Sequence, residues 1–147
     1  MDKASSTTII DTLNGLLNAQ KDALVKIENL NHANPLDKAL EVGRVSGYIS
    51  LMEETVVETN KFFDSSKNVS EYCVKQINRI DALEKTLTEE RSKIPWSNQT
   101  TLNESQMTTK GTINGKIVAL GDISTLIRKV SSELARVGEI EREAQKS

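Results

Sequence analysis

The chain has 147 residues, room for one ordinary domain or one extended helical unit. Apolar residues make up 37% and aromatics only 3%, so the interior must come from Leu, Ile, Val and Ala, which suits narrow helical seams better than a thick core. The 19 basic and 21 acidic residues are interspersed and sum to −2, and the missing basic stripe argues against nucleic acid and anionic lipid as partners.

Alternation with period two is sustained nowhere, and spacings of three and four dominate, which predicts an all-α chain. No apolar run approaches the roughly 20 residues needed to span a bilayer, and the amino-terminal MDKASSTTIIDTL carries no signal-like apolar core. Cys73 is the only cysteine, so no disulfide can form within the chain. The expectation is a soluble protein of a reducing compartment, cytoplasmic or nuclear.

A first helix is predicted from about residue 8 to 33, capped by Ser6 or Thr7, with an apolar stripe through Ile9 or Ile10, Leu13, Leu16, Leu17, Leu24, Ile27 and Leu30. It ends in NLNHANP. Asn34-Pro35 restarts a helix, because Asn caps well and proline is preset for the first helical position. The short connection makes the two helices antiparallel neighbours or places a sharp bend between them.

From Leu36 the pattern continues without a Gly or Pro stop after Gly47 as far as Lys93. Ile49, Met52, Val56, Thr59, Phe63, Ser66, Ser70, Cys73, Ile77, Ile80, Glu84 and Leu87 follow alternating spacings of three and four, a heptad seam with a polar middle. One continuous helix is slightly preferred, giving an elongated helical hairpin or coiled coil with a long second helix. The alternative is a four-helix up-down bundle, with a break at Asp64–Asn68, where Asn68 and Glu71 have the spacing of a capping box. Gly43-Arg-Val-Ser-Gly47 reads either as a close helix crossing or as a local weak point.

Residues 94–111, IPWSNQTTLNESQMTTKG, read as a polar linker between an amino-terminal helical region, 1–93, and a carboxy-terminal amphipathic helix, 112–147. That last helix has the most regular stripe: Ile113, Ile117, Leu120, Ile123, Ile127, Val130, Leu134, Val137 and Ile140.

Nothing in the composition assembles a catalytic or metal site. His32 is the only histidine, and one His with one Cys cannot hold zinc. Cys73 has no base nearby in sequence and sits on the heptad seam, so it reads as a packing residue. Glu53-Glu54, Glu89-Glu90 and Glu139 to Glu143 read as solvated charge clusters. No enzyme activity, cofactor, metal or small-molecule substrate is expected.

Lys75-Gln76-Ile77-Asn78-Arg79-Ile80 resembles a short stretch in small coiled-coil subunits of the complexes that organise lysosome-related organelles. The resemblance covers these residues alone and implies no more than a helical, heptad-bearing subunit. Vesicle-tethering and kinetochore subunits share this general form by analogy. The functional expectation is a coiled-coil structural or adaptor subunit that binds other helical subunits, homo- or hetero-oligomeric. The alternative is a self-contained bundle that binds a regulatory peptide or lipid. The candidate contact residues are Ile123, Ile127, Val130, Leu134 and Val137 on the last stripe, with Trp96 beside a helix end.

Overall fold

The computed structural model describes the backbone of residues 2–29, 34–94 and 102–146, and the side chains of 6–29, 34–94 and 102–136. Among the described residues the fold is four α-helices and no strand: α1 (Asp2–Asn29), α2 (Pro35–Ser65), α3 (Val69–Ser92) and α4 (Glu104–Lys146). None of them is long and apolar enough to cross a membrane.

The helix starts are dictated locally. Asn34 is extended, its side chain accepts a hydrogen bond from the Leu36 amide, and Pro35 opens α2. Asn68 does the same for α3, accepting from the Glu71 amide at 3.0 Å. α4 opens on a reciprocal capping box: Asn103 Oδ1 accepts from the Gln106 amide, and Gln106 Oε1 accepts from the Asn103 amide. Thr108, Thr109 and Thr112 then donate their hydroxyls to the carbonyls one turn back.

Three expectations are corrected here. The long second helix is two helices, because Ser66 turns extended and Asn68 caps a new start, so the four-helix bundle is the architecture present. α4 begins at Glu104, inside the span read as linker. α1 begins at Asp2, so Ser6 and Thr7 lie within it instead of capping it.

α2 and α4 form the central pair and run parallel. Gly43 lies on the Thr108 backbone and Gly47 on that of Thr112, while Gly111 meets Leu40 and Arg44, and Gly115 meets Arg44 and Tyr48. Two G-x-x-x-G faces therefore interlock, and a Cβ at any of the four glycines would run into a backbone carbonyl. The close-crossing reading of Gly43 and Gly47 holds, and its partner is the same spacing on α4.

α1 packs chiefly on α2, and α3 chiefly on α4. One apolar core threads all four helices through Ile9, Leu13, Met52, Tyr72, Leu120, Ile123 and Ile127. The α2–α3 joint adds polar contacts to ring packing of Phe62 and Phe63 on Tyr72. Thr59 and Tyr72 share a hydroxyl hydrogen bond of 2.6 Å in the interior, and Arg79 donates to Thr55 Oγ1 at 2.9 Å. The same guanidinium pairs through Nε with Glu58 at 2.9 Å.

Candidate protein-binding face

The apolar stripe of α4 is the feature the sequence marks for contact, and the bundle divides it. Ile123 and Ile127 are fully buried and Val130 is 8% exposed, all covered by this chain's own helices. Leu134 is half-buried against the same core. The side chain of Val137 and all of Trp96 lie outside the described residues. The structure therefore brings Ile123, Ile127, Val130 and Leu134 together, but it makes Ile123 and Ile127 internal core with no face for a partner and leaves Val130 only an edge. Their coverage comes from Gly43 and Gly47, which let α2 approach α4 closely enough for Tyr48, Leu51 and Met52 to reach the same core.

Beside this stripe, α1 and α4 stand apart and leave an open groove of about 380 Å³. Leu16, Leu126 and Val130 supply its apolar lining, and Asp122, Lys129 and Glu133 its charges. Sequence reasoning did not single out Leu126, because it lies one position off the regular stripe. It also passed over Asp122, which directly precedes the core residue Ile123. The Tyr48 hydroxyl donates to Asp122 Oδ2 at 2.5 Å, tying α2 to α4 at this groove. Burial, then the hydrogen bond and negative charge of Asp122, raise the Tyr48 phenol well above its ordinary value, so it stays protonated.

Burial and surface pairing account for several of the groups with chemical potential. Cys73 is buried, and that burial pushes its thiol up, away from the reactive thiolate. Tyr72 is pushed up to about 12, chiefly by burial. Lys21 pairs with Glu53 at 3.2 Å and Arg44 with Glu41 at 3.0 Å. His32 lies outside the described residues, as do the side chains of Glu139 to Glu143.

A second open groove, also about 380 Å³, lies where the end of α3 meets the start of α4, lined in part by Ile94, Thr112 and Ile113.

No protein-family model, no curated protein and no solved structure matches this chain.

Proposed function

We propose that the chain is a non-enzymatic structural or adaptor subunit of a cytoplasmic or nuclear assembly, acting through helix–helix contacts with other helical proteins. The observation that carries this reading is the length of α4. It has 43 residues, against 31 in α2, 28 in α1 and 24 in α3. Carrying the parallel α2–α4 register forward, the end of α2 at Ser65 falls level with roughly residue 130 to 134 of α4. The α4 backbone then runs on to Lys146, about 18 Å or more past that level. An amphipathic helix that runs past the end of the helix it crosses offers an end to which a partner helix can add.

The test is made on the full chain. Val137→Asp with Ile140→Asp, both in the part of α4 past the end of α2, is expected to leave thermal melting unchanged. The same double variant is expected to lose helical partners that copurify in fixed stoichiometry with the native chain. Recovery of the native chain only as a free monomer, or a complex that survives the double variant, overturns the reading.

The α1–α4 groove favours a second reading, a bundle that takes an amphipathic regulatory peptide along Leu16, Leu126 and Val130. Leu126→Glu would abolish peptide binding of that kind and leave contacts at the α4 end untouched.

A further inference from the structure

We propose that the three-residue break between α2 and α3 is a hinge through which two copies of this chain exchange their carboxy-terminal halves, α3 with α4, into a swapped dimer. The partner is a second copy of the chain, so the inference does not rest on the adaptor reading and fails or stands separately from it.

Four observations converge on the hinge. The break, Ser66 to Asn68, holds no glycine and no proline, and the described backbone contains no residue of positive φ, so nothing in it forbids helix. The three–four spacing of the sequence continues across it: Met52, Thr59, Cys73, Ile80 and Leu87 are buried on both sides and Phe63, Ser66 and Ile77 are half-buried, while Ser70, just past the break, is exposed and Val69 takes the buried place beside it. The bend is held by its own hydrogen bonds and by an aromatic cluster, Phe62 and Phe63 against Tyr72 with Lys75 over the Phe62 ring, which an exchanged partner would re-form. The Ser66 amide donates to the Phe62 carbonyl, Ser66 Oγ accepts from the Asn68 amide at 3.2 Å, and Asn68 caps α3. Lastly, the α2 and α3 backbones keep apart and meet through side chains, Arg79 with Thr55 and Glu58, Thr59 with Tyr72, and the rings of Phe62 and Phe63 with that of Tyr72.

Straightening the hinge yields one helix, Pro35 to Ser92, and regains the backbone hydrogen bonds that the bend leaves unmade. Each α1–α2 pair would then receive α3 and α4 from the other copy, which restores the glycine crossing, the apolar core and the Arg79 contacts between chains. Domain exchange of this kind conserves the native interfaces and changes only the hinge. Exchange requires α2 and α4 to separate at their interlocked glycines, so it proceeds through unfolding, and each form persists once made.

The experiment refolds the full chain at low and at high concentration and measures mass by light scattering. A 16.3 kDa monomer is expected at low concentration, with a long-lived species of about twice that mass at high concentration. Spin labels at Asp37→Cys and Glu89→Cys, in a Cys73→Ala background and diluted with unlabelled chain, report the geometry within one chain. The bent monomer keeps them within about 30 Å, whereas the straight helix separates them by about 78 Å. Ser66→Ala with Asn68→Ala removes the local restraints and is expected to raise the dimer share roughly tenfold. Val69→Pro is expected to abolish the dimer, because proline suits the first position of α3 and breaks a helix interior. Absence of the dimer from both the native chain and the Ser66/Asn68 variant overturns the proposal. So does a dimer with the short label distance, or one that survives Val69→Pro. Should Val69→Pro not fold, the label distance alone decides.

Discussion

The glycines with described surroundings separate into two kinds that the sequence does not distinguish. Gly43, Gly47, Gly111 and Gly115 have the backbone of the facing helix where a Cβ would go, while Gly15 and Gly121 have nothing within 4 Å. Glycine within a helix costs about 1 kcal/mol relative to alanine, and that cost is recoverable only where there is space. Gly15→Ala and Gly121→Ala are therefore expected to stabilise the fold by about 0.5–1 kcal/mol. Gly115→Ala is expected to destabilise it by about 1–3 kcal/mol, since the Arg44 carbonyl belongs to a packed helix and cannot yield cheaply. Urea midpoints at constant slope check both signs, and a destabilising Gly121→Ala would contradict the assignment. G-x-x-x-G at 43–47 was legible as a possible crossing. The answering pair at 111 and 115 is split by the sequence reading, Gly111 closing the polar span 94–111 and Gly115 falling in the last helix, because the pair's value depends on a residue about 70 positions away.

At the scale of elements, capping was written plainly where Pro supports it and weakly elsewhere. Asn34-Pro35 marks the start of α2 on its own. Asn103 and Gln106 also have capping-box spacing, yet the Thr-rich turns that follow have poor helix propensity and disguised the start of α4 as linker. Hydroxyl bonds to the carbonyls of the preceding turn are what those threonines gain there. The α2–α3 break was undecidable in sequence for the reason that makes it a hinge: the seam does not stop. The joint between these two helices has a measurable pH signature. In the folded chain Tyr72 is pushed up to about 12, against about 10 for a free phenol. Below about pH 10 both folded and unfolded states keep the proton and the stability is fully present. As pH rises from about 10 towards 12 the unfolded chain releases it first, so stability falls, at most about 1.4 kcal/mol per pH unit from this group. Urea unfolding between about pH 9 and pH 11.5 should show that decline, and Tyr72→Phe should make it shallower. An equal slope in the variant would place the effect elsewhere, with Tyr48 the next phenol to replace.

For the whole molecule, the all-α class and most core positions followed from periodicity, but which helix covers which stripe did not. A stripe as regular as that of α4 needs cover, and a sequence cannot say whether the cover is a partner or the chain itself. The bundle answers for Ile123 and Ile127, which have no exposed surface, and α4 touches both α2 and α3, with slighter contact to α1. A helix placed centrally in this way cannot be lost while the others stand: α2 would lose its glycine crossing and α3 its main support. Placing a carboxylate at Ile127 buries an unpaired charge and removes aliphatic packing, each of which alone costs several kcal/mol, comparable with the total stability of a domain. Ile127→Asp is therefore expected to unfold all four helices together, including α1 and α2. Leu134→Asp, at a half-buried position, is expected to cost only about 1–2 kcal/mol and leave the bundle intact. Circular dichroism and amide exchange on the two single variants distinguish the possibilities. Persistent protection in α1 and α2 of Ile127→Asp would mean that those helices form an independent hairpin, with α4 a detachable element available to other chains.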